Sequence, residues 1–314
     1  MSVLSWLANA SGLLAAIVLL WKGADWFVDA AVRIARRFRV SDLVIGLTLV
    51  GLGTSAPEFA VSIGAALTER ANISVANVVG SNVFNLGFIL GGCALIAPIV
   101  TSRTLVFRDG VFLLAVTLLL AWFIRDLRFA RYEGIILMSL LAAYIVFLFV
   151  RREPLDQAQT EESPAGWVDG IWAVVGLAMI LGGAHLLVET ASSVARNLGV
   201  SEWAIGVTVV AAGTSAPELV TSLNAAVKSR YGISAGNLLG SDLFNLLGVL
   251  GLAATIRPLG VSAGGPMSVH VLTLMVLMVV VFMRSGWRLS RAEGGLLVGI
   301  NLVRWAFEIG GGRV

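Results

Sequence analysis

The sequence predicts an all-α integral membrane protein of ten transmembrane helices, arranged as two inverted five-helix repeats. Three observations predict it. The 314 residues are 58% hydrophobic and only 13% charged, with a mean hydropathy of +0.91, whereas an average soluble domain is about 25% charged. Apolar windows long enough to cross a bilayer recur along nearly the whole chain. Finally, the six residues Gly-Thr-Ser-Ala-Pro-Glu occur at Gly53–Glu58 and again 160 residues later, at Gly213–Glu218.

The first helix is expected from Val3 to Arg36, long enough to be tilted or kinked. Leu13 to Leu20 is an apolar run, but no basic region precedes it and apolar character resumes after Lys22, so it reads as a membrane helix rather than a leader. Lys22, Asp25 and Asp29 share one face of it, where Lys22 can snorkel or pair with Asp25. Further helices are expected at Leu43 to Leu67, Ile73 to Val100, Val106 to Ile124 and Ala130 to Val150, which closes an N-terminal repeat of residues 1–150. The polar segment 151–166, with Pro154, Glu161, Glu162 and Pro164, is the linker. The C-terminal repeat, 167–314, is expected to hold helices at Trp167 to Leu198, Trp203 to Val227, Ile233 to Ile256, Val269 to Met283 and Ala292 to Glu308.

The repeat is the stronger organising signal. Residues 46–91 match 206–251 without a gap, through Gly46 and Gly206, Thr48 and Thr208, Asn77 and Asn237, Ser81 and Ser241, and Asn85 and Asn245. With about half the positions between Ser41 and Gly91 identical at that offset, this is a duplication. An odd number of spans per repeat makes the second copy enter from the opposite side, a recurring architecture of secondary transporters. Basic residues cluster at helix ends, as with Arg33, Arg36, Arg37, Arg39, Arg151, Arg152, Lys228 and Arg230, and they favour an N-terminus outside and a cytoplasmic linker. The net charge of +3 therefore reads as orientation, and no nucleic-acid partner is expected. Cys93, the single cysteine, reads as a small packing residue.

Carboxylates in hydrocarbon are expensive, roughly 2.5–3.5 kcal/mol each, so Glu58 and Glu218 point to an ion pathway. Pro57 and Pro217 lack an N–H and clash with the carbonyl four residues back, so a helix break is expected just before each. The carbonyls freed near Gly53, Thr54, Gly213 and Thr214 need partners, and a bound cation would serve. Hydroxyls of Thr54, Ser55, Thr214 and Ser215 make the donor set oxygen-only, which suits a hard cation such as Ca²⁺. No His or Cys cluster favours zinc or copper, and no cofactor is expected.

The following helix carries the second repeated motif, Gly80–Asn85 and Gly240–Asn245. Ser81 and Asn85 lie four residues apart on one face, as do Ser241 and Asn245, and Asn77 and Asn237 extend that face. These side chains can complete a cation shell or hydrogen-bond across a helix interface. Asn77 and Asn237 are assigned to packing, and His185, which matches Asp25 at the repeat offset, to a structural role.

The paired motifs, each present twice, closely resemble the two α-repeats of the cation/Ca²⁺ exchanger superfamily, which includes the Na⁺/Ca²⁺ exchangers. The resemblance covers both halves. It implies a Ca²⁺ antiporter of the cell membrane in which Glu58 and Glu218 bind Ca²⁺ or the coupling ion centrally. It further implies that Thr54 and Thr214 contribute carbonyls and that Ser55, Ser215, Ser81, Ser241, Asn85 and Asn245 complete neighbouring monovalent sites. The well-studied prokaryotic Na⁺/Ca²⁺ exchangers tend to carry an acid at one of the positions held here by Asn85 and Asn245. Proton-coupled relatives resemble this chain there, so H⁺ stands as the alternative to Na⁺, the coupling ion that the resemblance prefers. Asp242 is one residue past Ser241, about 100° off the Ser241/Asn245 face of a regular helix, and no ligand role is transferred to it.

Two carboxylates carry −2, which one Ca²⁺ neutralises, as do two monovalent cations. Mutual exclusion follows, and an empty pair of buried anions resists occlusion, so only a loaded carrier should switch. The expectation is alternating access by a monomer, not an enzyme. A channel would need a continuous pore, which an inverted duplication does not favour. An intramembrane protease built on Glu58 and Glu218 is weaker still, with no peptide-recognition feature in view.

Overall fold

The computed structural model describes residues 3–67, 71–151, 166–198 and 211–309. Most of the expected linker, and the start of the seventh expected helix with Gly206 and Thr208, lie outside the described residues.

Twelve described helices follow one another. They are α1 (Val3–Phe38), α2 (Asp42–Thr54), α3 (Ala56–Leu67), α4 (residues 71–96), α5 (Leu105–Asp126), α6 (Arg131–Val150), α7 (Trp167–Asn197), α8 (Ala211–Thr214), α9 (Ala216–Val227), α10 (Tyr231–Ile256), α11 (Gly265–Arg284) and α12 (Arg291–Ile309). Local chemistry sets their ends. Arg36 and Arg37 sit in the last turn of α1, where cations oppose the helix dipole, and the positive φ of Arg39 (53°) closes it. Ser41 accepts the Val44 N–H at 3.3 Å to open α2. Backbone N–H groups of Ala130 and Ser290 donate to Glu133 (2.7 Å) and Glu293 (2.8 Å) at the starts of α6 and α12.

Seven described helices are long and apolar enough to cross a membrane, and α2 with α3, bent by 49°, makes an eighth candidate. The remaining expected spans fall short for local reasons. Only the stretch from Ala211 is described of the seventh, and α12 carries Arg291, Glu293, Arg304 and Glu308.

The chain is all-helical as expected, with four two-residue strands joining helices. They are β1 (Ile99–Val100), β2 (Arg128–Phe129), β3 (Leu259–Gly260) and β4 (Arg288–Leu289). The third helix was expected to reach Val100, yet it ends at Ile96. A residue before proline is pushed out of the helical region, and Ala97, before Pro98, has φ −139° and ψ 124°. Arg257, before Pro258, does the same with φ −147° and ψ 135°. Antiparallel pairing joins β1 to β4 and β2 to β3, so each ribbon draws one strand from each half of the chain.

The halves interlock. The end of α4 packs on α12 and the end of α10 on α6. Close approach at glycine makes both contacts: a Cβ on Gly91 would stand 2.8 Å from the Gly294 carbonyl, and one on Gly251 would stand 3.1 Å from that of Gly134. Arg131 donates to Ile256 O and Arg291 to Ile96 O, both at 3.2 Å, capping the opposite half's helix ends. Each of these contacts recurs at the 160-residue offset.

α10 lies at the centre, with 83% of its apolar window buried, while α1 and α7 pack along one another at the periphery with 22% and 28%. The pairing expected between Lys22 and Asp25 is not formed. Lys22 is exposed, and Asp25 and Asp29 instead meet Lys228 at the end of α9, at 2.7 and 2.6 Å.

Candidate ion-binding site

The two repeated hexapeptides form matching helix breaks. In the first, α2 stops at Thr54, Ser55 takes φ −75° and ψ 4°, and α3 begins at Ala56. In the second, Ser215 takes φ −89° and ψ 8° between α8 and α9. Beyond each break the ladder runs through Phe59 N–H to Ser55 O and Leu219 N–H to Ser215 O, both 3.1 Å. The cause is the one expected from Pro57 and Pro217, which have no N–H to give.

Glu58 and Glu218 follow the breaks by one turn, and both are 0% exposed. They lie within electrostatic reach of one another. The facing is crossed, since the Ser215 side chain faces Glu58 and the Thr54 side chain faces Glu218. Ser81 Oγ on α4 donates to Glu58 Oε1 at 3.3 Å. Thr54 Oγ1 stands 3.0 Å from both Asn237 Oδ1 and Ser241 Oγ on α10, and bonds back to Val50 O at 3.1 Å. That hydroxyl is thus engaged in tying α2 to α10. Thr214 is half-buried, with Pro217 buried and Pro57 half-buried beside the breaks.

Asn77 and Asn237 have the packing role expected of them. Their amides donate to Ser62 Oγ (3.0 Å) and Ser222 Oγ (2.8 Å), fastening α4 to α3 and α10 to α9. Asn85 and Asn245 reach across the halves. Asn85 Nδ2 donates to Asp242 Oδ1, and Asn245 Nδ2 to Asn82 Oδ1, each at 3.0 Å. Asn82 Nδ2 closes the network on the Asp242 carbonyl at 3.0 Å.

Asn82 and Asp242 are the residues that reading one helix face missed. Every residue of α10 from Ile233 to Val249 is buried, so a side chain 100° off one face still meets protein, here α4. Both helices also widen to a π turn at this level, over Asn85–Leu90 and Phe244–Val249. Such widenings collect at functional sites. The available signal was that Asp242 is the sole charged residue between Ile233 and Val249.

Many oxygens here have no donor. Among the described residues Glu58 Oε2, both Glu218 oxygens, Ser55 Oγ, Ser215 Oγ, Asn85 Oδ1, Asn245 Oδ1 and Asp242 Oδ2 are buried without a hydrogen-bond partner. Native interiors leave few such atoms, each costing about 1–3 kcal/mol. An oxygen-rich, buried cluster with acids is suited to a hard cation.

Comparison with known proteins gives the family. A model described as sodium/calcium exchanger protein matches residues 9–150 and 170–308. The chain belongs to the sodium/calcium exchanger family. It is therefore a multi-pass membrane antiporter by family and not an enzyme. It is 33% identical over 329 residues to the sodium/calcium exchanger MaX1 of Methanosarcina acetivorans, covering 91% of this chain and 94% of that one. It is 31% identical over 308 residues to inner membrane protein YrbG of Escherichia coli, covering 93% and 94%. Among solved structures, the sodium-calcium exchanger NCX_Mj superposes with a TM-score of 0.85 at 31% identity, over 95% of this chain and 98% of that chain.

Proposed function

We propose that this exchanger moves Ca²⁺ against Na⁺ by alternating access at a site centred on Glu58 and Glu218. One observation carries the reading. Two fully buried carboxylates, delivered by matching helix breaks, have three of their four oxygens without a hydrogen bond, and no Lys, Arg or His among the described residues pairs with them. Buried charge is retained when it is paired or binds an ion. A net −2 is balanced by one Ca²⁺ or by two monovalent cations, so the two loads exclude each other. Ser55, Ser215, Ser81, Ser241, Asn85, Asn245 and the carbonyls of Thr54 and Thr214 complete the shells in this reading. The names of MaX1 and NCX_Mj support the ion pair.

Ten spans in two inverted repeats, 1–150 and 167–314 around a cytoplasmic linker, fit the ribbons. With the N-terminus outside, β1 and β4 fall on the cytoplasmic side and β2 and β3 on the outer side, so the strands of each pair share one side. In this reading the carrier works in the cell membrane as a monomer.

A second reading, Ca²⁺/H⁺ exchange on the same glutamates, is favoured by amides at both Asn85 and Asn245. The deciding experiment is radiolabelled Ca²⁺ uptake into proteoliposomes under imposed Na⁺, K⁺ or pH gradients. A Na⁺ gradient is expected to drive uptake, and Glu58→Gln and Glu218→Gln to abolish it. Uptake at the wild-type rate in both variants would overturn the site, and uptake driven only by a pH gradient would replace Na⁺ with H⁺.

A further inference from the structure

We propose that Asp242 is a third ion-binding carboxylate, holding a monovalent alkali cation together with the amide oxygens of Asn85 and Asn245. This rests on the antiport reading above and adds Asp242, a carboxylate which that reading leaves out. The acid breaks the symmetry of the duplication, since the matching residue of the first repeat is Asn82.

The four side chains form one network across α4 and α10, from Asn85 to Asp242, from Asn82 to the Asp242 carbonyl, and from Asn245 to Asn82, each at 3.0 Å. In both crossed bonds the asparagine gives its N–H. What remains is one kind of atom: Asp242 Oδ2, Asn85 Oδ1 and Asn245 Oδ1, all buried with no donor. The four residues are at most 1% exposed. No lysine or arginine among the described residues pairs with Asp242. A buried carboxylate without a counter-charge is too costly to leave bare, and a cation is the kind of partner that these three oxygens lack.

Charge and geometry select the class of ion. One carboxylate with two neutral oxygens balances a single positive charge, whereas Ca²⁺ takes about 6–8 oxygens and favours several carboxylates. Asp242 lies within electrostatic reach of Glu218, so its group is a neighbour of the glutamate pair. The tight crossed bonds also hold each amide in one orientation, with oxygen rather than nitrogen left over.

The test uses the full-length protein in proteoliposomes, with Na⁺ as the monovalent probe. The Na⁺ concentration for half-maximal Na⁺-driven Ca²⁺ transport is compared with the rate of Ca²⁺/Ca²⁺ exchange, which needs no monovalent ion. Asp242→Asn, nearly isosteric, is expected to weaken the Na⁺ response about tenfold more than it weakens Ca²⁺/Ca²⁺ exchange, equivalent to about 1.4 kcal/mol. Moving the acid across the same hydrogen bond, in the double variant Asn85→Asp with Asp242→Asn, is expected to restore most of that response. Equal losses in both modes, or no change in the Na⁺ response, would overturn the proposal. So would a double variant no better than Asp242→Asn. Failure of the antiport reading looks different, because Glu58→Gln and Glu218→Gln would then leave Ca²⁺/Ca²⁺ exchange intact.

Discussion

A Cβ placed on Gly240 would stand 2.8 Å from both the Cα and the carbonyl oxygen of Leu47. The obstacle is backbone, so no side chain can swing aside. Gly240 opens the second motif on α10, and this contact sets how closely α2 approaches Ser241 and hence where Thr54 meets it. Gly240→Ala is expected to destabilise the protein by about 1–3 kcal/mol, as overpacking does, and to reduce transport through displacement of Thr54. Gly92→Ala is the matched comparison, since a Cβ there meets nothing within 4 Å. It should leave the melting temperature in detergent unchanged or slightly raised, because Ala favours helix over Gly. Equal melting temperatures for the two variants would refute the close-packing argument.

Ser81 donates a hydrogen bond to a central glutamate, 3.3 Å from Glu58 Oε1. The bond steadies one carboxylate oxygen and directs the other toward the shared site. Ser81→Ala is expected to cost about 1 kcal/mol of cation binding, so half-saturating Ca²⁺ should rise roughly fivefold in the proteoliposome assay. Ser81→Thr, which keeps the hydroxyl, should recover part of that loss. A half-saturating concentration unchanged in Ser81→Ala would remove Ser81 from the site.

Lys228 joins α9 to α1 by meeting Asp25 and Asp29 at 2.7 and 2.6 Å, with side chains 28%, 31% and 46% exposed. Partial exposure limits the value of such pairs to about 0–1 kcal/mol each. Asp25→Asn alone should therefore barely shift the melting temperature, since Asp29 keeps the lysine engaged. Asp25→Asn with Asp29→Asn should lower it measurably at low salt and less at high salt, where exposed charges are screened. A shift independent of ionic strength would show that something other than charge holds α1 here.

Much of this was legible in the sequence because duplication does not depend on packing. Glu58, Glu218, Ser81 and Ser241 were found by a fixed offset, and Pro57 and Pro217 located the breaks within two residues. The strands were not legible, since two-residue pairings between halves leave no local periodicity, though Pro98 and Pro258 marked where the helices must stop. Asp242 was missed for a different reason. A regular-helix projection asks which face a residue occupies, while α10 is buried on all sides and widened at Phe244–Val249, so position around the helix does not decide contact. The partner of Asp25 lay about 200 residues away, beyond any local rule.

The ribbons turn topology into a labelling experiment. Val100 pairs with Arg288 and Arg128 with Gly260, and one candidate span separates Val100 from Arg128, so the proposed topology puts the two ribbons on opposite sides of the membrane. Val100 is 58% exposed, and the one native thiol, Cys93, is buried at 1%. In a Cys93→Ala background, Val100→Cys is expected to react with an impermeant maleimide only after the cytoplasmic face is opened, and Arg128→Cys from the outside of intact cells. Antiparallel partners have Cα atoms about 4.5–5.5 Å apart, inside the range a disulfide spans. Val100→Cys with Arg288→Cys should therefore cross-link under mild oxidation, as should Arg128→Cys with Gly260→Cys, whereas Val100→Cys with Gly260→Cys should not. Labelling of Val100→Cys and Arg128→Cys from the same side would rule out five spans per repeat, and with them the inverted arrangement that brings Glu58 and Glu218 to one site from opposite faces.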